Sequence, residues 1–138
     1  MYPAEIVQPM KEELTEHGFV ELLTPQDVEN TLTKPGTALV MINSVCGCSA
    51  GTARPGVLMA VHHGGKVPDQ LTTSFAGFDV DAVNQVRKHL MPYPPSSPAI
   101  ALFKDGQLVH MIERHMIEGR SAQMIADNLV GAFNQYCN

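Results

Sequence analysis

The sequence predicts an α/β fold in which a mixed β-sheet is flanked by helices and preceded by additional N-terminal helices. Three features predict it. Thr37 to Ile42 is an unbroken, largely apolar run without alternation, the pattern of a strand buried on both faces in a largely parallel sheet. Strand-like and helix-like segments then alternate along the chain, which puts helices in right-handed crossovers between parallel strands. Near the end, Asp105-Gly106 separates two strand-like segments, a hairpin signal that adds an antiparallel strand.

Taken in order, Ala4 to Glu16 places Ile6, Val7, Met10 and Leu14 on one helical face. Thr24 is a good N-cap for a second helix, with Pro25 at its first position and Asp27 in its first turn. Val28 and Leu32 are its buried side, and Pro35-Gly36 ends it. After the 37–42 strand the chain passes through Asn43-Ser44-Val45, and a helix is predicted from Cys48 to His62. Pro55 is expected to kink that helix or remove one of its hydrogen bonds. Leu71 to Phe75 is the next strand. Asp79 is read as the cap of a helix that buries Ala82, Val83, Val86 and Leu90. The proline-rich stretch Met91 to Pro98 leads into strands at Ala99 to Phe103 and Leu108 to Ile112. A final helix, Ser121 to Tyr136, carries Ile125, Leu129, Ala132, Phe133 and Tyr136 on one face. The order β-α-β-α-β-β-α after the first two helices is the thioredoxin-like arrangement.

Composition bounds the function. The 138 residues suit one domain, 1–138, around a single core, and 44% apolar content is enough to build it. A formal charge of -5 lacks the basic footprint of a nucleic-acid-binding surface. No apolar run is long enough to cross a bilayer, and Met1-Tyr2-Pro3-Ala4-Glu5 does not read as a secretory signal. The expectation is a cytoplasmic protein with neither nucleic acid nor membrane as partner and no cofactor. In that compartment three cysteines do not make a stapling framework; they are packing residues, metal ligands or redox groups.

Cys46 and Cys48 lie one residue apart, just beyond the end of the buried strand, where open α/β sheets tend to place reactive groups. Unpaired N–H groups and the dipole at a helix start favour an anion, so Cys46 is the expected nucleophile. Gly47 keeps the link between the two sulfurs free of bulk. A disulfide across so short a link closes a smaller ring than Cys-X-X-Cys, which predicts a redox couple less reducing than thioredoxin, whose potential is about -270 mV. Two other readings compete. The pair can be inert packing at a turn. It can also be a metal or iron–sulfur site with distant Cys137, although the six histidines lack ligand-like spacing.

Pro98 precedes a strand, and thioredoxin-like proteins place a cis-proline there beside the redox pair; the backbone of Ser97 is then available to a substrate chain. Only the fold inference favours cis, since about 5–6% of X–Pro bonds in folded proteins are cis. Arg54 is read as a solvated helix arginine. His62 and His63 are read as cations near a helix C-terminus, and Cys137 as an exposed thiol in preference to a third redox partner. Arg114 and His115 carry no derived role.

The run Asn43-Ser44-Val45-Cys46-Gly47-Cys48, with Ala50-Gly51 and Ala53-Arg54-Pro55, resembles the signature of the bacilliredoxins. The likeness continues through Pro95-Ser96-Ser97-Pro98, Ala101-Leu102-Phe103-Lys104, Arg114-His115, Ile117-Glu118-Gly119 and Cys137. It implies an enzyme that removes bacillithiol from protein mixed disulfides, some family members also acting as disulfide isomerases. It implies Cys46 as attacking and Cys48 as resolving residue, bacillithiolated or disulfide-bonded proteins as clients, and bacillithiol with a reductase for recycling. The competing enzyme reading is a protein disulfide isomerase with no small-thiol substrate.

Overall fold

The computed structural model describes Met1–Asn138. Its element order is α1 (Ala4–Thr15), β1 (Val20–Glu21), α2 (Pro25–Leu32), β2 (Thr37–Asn43), a π-helical turn (Ser49–Ala53), α3 (Arg54–Val61), β3 (Gln70–Phe75), α4 (Val80–Leu90), β4 (Ala99–Lys104), β5 (Gln107–Ile112), α5 (Arg114–Ile117) and α6 (Ala122–Tyr136). The strands form one sheet in the order β1-β3-β2-β4-β5. β1 and β2 run parallel to β3, while β4 is antiparallel to both β2 and β5.

β2 is the middle strand, and every position in it is buried. Its side chains alternate between two cores, which is why its sequence does not alternate. Leu39 and Met41 face Val57, Ala60, Leu129 and Phe133 of α3 and α6. Ala38, Val40 and Ile42 face Val28, Leu32, Val83 and Val86 of α2 and α4. α3 and α6 approach so closely that a Cβ on Gly56 would lie 2.7 Å from Ile125 Cβ and 2.9 Å from the Ala122 carbonyl.

Local signals hold at most ends. Thr24 accepts from Asp27 N–H while Asp27 accepts from Thr24 N–H, closing a capping box at α2. Ser121 accepts from Met124 N–H at the start of α6. Asp105 and Gly106, at φ 50° and 80°, give the β4–β5 turn the two left-handed residues of a type I′ hairpin.

Two expectations about local structure are corrected, for Asp79 and for Ile6. Asp79 precedes α4 without capping it; its carboxylate accepts instead from Phe75 N–H at 3.0 Å and pairs with Lys11. Pro55 has no N–H and takes one hydrogen bond out of the helical run that opens at Gly47, as expected, and the π turn ahead of it, where Arg54 N–H reaches Ser49 O, accommodates the gap. On α1, Ile6 is half exposed, whereas Lys11 is buried. β1 and α5 have no sequence signature, because two and four residues are too short to carry a period.

Candidate active site

β2 ends at Asn43, and the chain turns through Ser44 and Val45 into a helix that opens at Gly47. Cys46 therefore stands at the N-cap. Its carbonyl accepts from Ser49 N–H at 3.0 Å and Ala50 N–H at 3.2 Å. Its Sγ accepts from Cys48 N–H at 3.2 Å, and its own N–H donates to Ser44 Oγ. The sulfur thus takes the acceptor's part that a serine or aspartate oxygen plays at other helix starts. Cys46 and Cys48 are joined as a disulfide, with Cα atoms 5.4 Å apart, and both are partly exposed. Gly47 is exposed, its φ is not left-handed, and a Cβ there would meet nothing within 4 Å. The turn itself does not demand glycine.

The turn rests on one polar hub. Asn43 Oδ1 accepts from Ser44 N–H (2.9 Å), Ser49 Oγ (3.0 Å) and Arg54 Nη1 (2.9 Å), and Asn43 Nδ2 donates to the Met10 carbonyl (3.1 Å). Arg54 Nη1 also donates to the Ser44 carbonyl at 2.9 Å and to Ser49 Oγ at 3.1 Å. Arg54 is only 2% exposed, which corrects its reading as a solvated helix residue. Glu13 Oε1 lies 3.1 Å from Arg54 Nε, near enough to offset the charge but out of line for a hydrogen bond. Spacing alone could not show this, since the partners are a turn carbonyl, a serine and a strand-end amide.

The Ser97–Pro98 peptide is cis and Pro98 is buried. Ser97 lines the same cavity as Cys46, together with Ser44, Arg87 and Arg114. The Ser97 carbonyl already accepts from Arg114 Nη1 at 3.2 Å, and Arg114 Nε donates to Glu118 at 2.7 Å. Arg114 thus gains a place at the site that its sequence position did not reveal. His115 is exposed. His62 is the C-cap residue of α3, at the helix end far from the cysteines, and its Nε2 lies 3.2 Å from His17 Nδ1.

Cys137 is buried, not exposed, and burial pushes its thiol up from the ordinary value. It neighbours Thr37, Asp69 and Lys104, at the start of β2, whereas Cys46 follows the end of β2. The strand between them spans about 20 Å, so neither a third redox partner nor a three-cysteine metal site is formed. No group of three histidine, cysteine or acidic side chains is placed to hold a metal ion.

Comparison with known proteins gives the family and the fold. Residues 2–137 match a family model described as disulphide isomerase. A bacilliredoxin of Cytophaga hutchinsonii is 58% identical over 98% of this chain and 99% of its own length. Another, from Halalkalibacterium halodurans, is 49% identical over 99% of this chain and 94% of its own. Among solved structures, a putative oxidoreductase with a thioredoxin fold matches with a TM-score of 0.63 at 16% identity, covering 87% of this chain and 94% of that one. Oxidised mitochondrial thioredoxin 3 of Saccharomyces cerevisiae gives 0.57 at 13% identity, covering 89% and 98%. The fold is therefore thioredoxin-like.

Proposed function

This chain belongs to the bacilliredoxin family, and on that premise we propose that it removes bacillithiol, or a similar low-molecular-weight thiol, from protein mixed disulfides by thiolate exchange at Cys46-Gly47-Cys48. Family and fold make it a thiol–disulfide oxidoreductase; the small-thiol substrate is the finer claim. The observation that carries the reading is the Cys46 sulfur, partly exposed at a helix N-cap and accepting from Cys48 N–H. A thiolate there is met by a donor and by the positive end of the helix, which favours the attacking form.

The chemistry closes in two exchanges. Cys46 thiolate attacks the sulfur of the small thiol, forming a Cys46–small-thiol disulfide and releasing the client as a thiolate. Cys48, deprotonated, then attacks Cys46, expelling the small thiol as its thiolate and leaving the Cys46–Cys48 disulfide. A dithiol or flavin-linked reductase returns two electrons to reset the pair. Alternatively a second small-thiol molecule attacks the small-thiol sulfur of the adduct, the two small thiols form their own disulfide, Cys46 leaves as the thiolate, and the Cys46–Cys48 pair is then never oxidised. Disulfide-bonded proteins are clients by the same first step. No helix is long and apolar enough to cross a membrane, and we place the reaction in the cytoplasm, where reductants of this kind operate.

The test offers the reduced protein one client carrying bacillithiol and the same client carrying glutathione. The expected result is faster release of bacillithiol, abolished in Cys46→Ser. In Cys48→Ser the small thiol is expected to be retained on Cys46 as a mass adduct. Equal or exclusive release from the glutathione adduct removes the bacillithiol assignment. Reshuffling of a scrambled disulfide protein without release from either adduct favours the isomerase reading.

A further inference from the structure

Beside Cys46 lies a cavity of about 210 Å³ whose lining includes Tyr2, Ser97, Arg87 and Arg114 and contains no carboxylate. Two guanidinium groups at this point stand out in a chain of net charge -5. Arg114 is anchored by the Glu118 carboxylate and the Ser97 carbonyl, which leaves Nη2 without a partner in the protein. Arg87 is different. It makes no ion pair, and its Nε is buried without a hydrogen-bond partner. The helix dipole favours cations in the last turn of α4, but Lys88 meets that demand from solvent and His89 pairs with Glu29. Arg87 alone of the three turns a donor under the protein surface, and burial holds it below the ordinary guanidinium value. Nε itself is closed off from the cavity, but the rest of this partly exposed guanidinium lines it without an ion pair, and a cation beside a cavity without acids is matched by an external carboxylate, which a guanidinium binds through its terminal N–H donors.

We propose that Arg87 and Arg114 form an anion subsite that holds a carboxylate of the thiol transferred to Cys46. The inference rests on the exchange reading above. The carboxylate is bound and not consumed: Cys46 forms its S–S bond to the carboxylate-bearing thiol, the bond from that thiol to the client breaks, and the client leaves as a thiolate.

Reduced protein is mixed in turn with dithiodiglycolate, hydroxyethyl disulfide and cystamine, which are anionic, neutral and cationic disulfides of similar size. Each rate is divided by that of dithiothreitol. The expected result is a preference for the anion that Arg87→Gln reduces about tenfold, the effect of losing one charge-assisted hydrogen bond. The quantity read is the anion-to-neutral rate ratio, in which any effect of the substitution on the Cys46 thiolate itself cancels, and Arg114→Gln lowers that ratio less. The same anion-to-neutral ratio in the parent and Arg87→Gln overturns the proposal. A preference confined to a peptide disulfide with glutamate beside its cysteine moves the carboxylate to the client and also overturns it. No reaction with any disulfide is a failure of the exchange reading. Succinate, which has no sulfur, then decides the subsite by NMR: saturable shifts of the Ser44, Val45 and Ala76 amides that vanish in Arg87→Gln uphold it, and their absence overturns it.

Discussion

At the scale of single residues, Arg54 and Gly47 make opposite predictions. Arg54 closes three hydrogen bonds around the cysteine turn from a buried position. Arg54→Met leaves the Ser44 carbonyl short of a donor, whereas Asn43 Oδ1 keeps Ser44 N–H and Ser49 Oγ, and a hydrogen bond to a charged group contributes about 1.5–3 kcal/mol. The expected loss is about 2–4 kcal/mol in urea unfolding, with methionine filling most of the space. Gly47 is at an open, exposed position, so Gly47→Ala is expected to alter stability by no more than about 0.5 kcal/mol. Its added methyl stands on the exposed link between the two cysteines, and exchange with a bulky client disulfide is expected to slow more than exchange with hydroxyethyl disulfide. Equal slowing with both would show that the glycine matters to the turn and not to approach. Cys137 is buried and held protonated. Alkylation of the reduced native protein is therefore expected to mark Cys46 and Cys48 and to spare Cys137 until the chain is unfolded.

At the scale of elements, the geometry of the site is set by how β2 feeds the helix and how that helix lies on α6. Gly56 is the contact that permits it. Gly56→Ala forces backbone and Ile125 apart and is expected to cost about 1–3 kcal/mol, as overpacking does; a melting temperature unchanged from the parent would show that the two helices part freely. Most of this level was legible in the sequence. The run at 37–42, the Thr24-Pro25-x-Asp27 start, Asp105-Gly106 and the apolar face of residues 121–136 are local signals, and each specified its element. What escaped depended on contacts distant in sequence. Asp79 looks like a cap, but Lys11, sixty-eight positions earlier, and Phe75 N–H take its carboxylate. The π turn before Pro55 has no sequence period of its own. At the site, the two cysteines stand out by their spacing and Pro98 only through the fold inference, whereas Arg54, Arg87 and Arg114 acquire meaning only once the chain brings them to the end of β2.

At the scale of the whole molecule, one charge cluster ties the N-terminal helix to the sheet. Lys11 Nζ lies 2.8 Å from Glu21 and 3.1 Å from Asp79, and 4.7 Å above the Phe78 ring. Burial opposes its charge, but hydrogen bonds to Glu21 and Asp79 outweigh this and hold the ammonium above the ordinary value. A folded-state value raised above the unfolded one gives stability that is complete below the unfolded pKa and lost as pH rises through the folded one. Urea unfolding is therefore expected to show less stability at about pH 11.5 than at about pH 9, with the difference smaller in Lys11→Met; an equal difference would assign it to other groups. The same architecture delivers a single sulfur to the mouth of the sheet, backed by a helix N-terminus and lined by arginines. Its most direct test is alkylation of the reduced protein across pH, read by mass spectrometry on Cys46→Ser and Cys48→Ser variants. The account predicts that Cys46, the thiol left in Cys48→Ser, reacts as a thiolate at a pH where free cysteine, with its pKa of about 8.5, is still mostly protonated. If Cys48 ionises first, or Cys46 reacts no earlier than free cysteine, the helix start does not make the nucleophile and the account is contradicted.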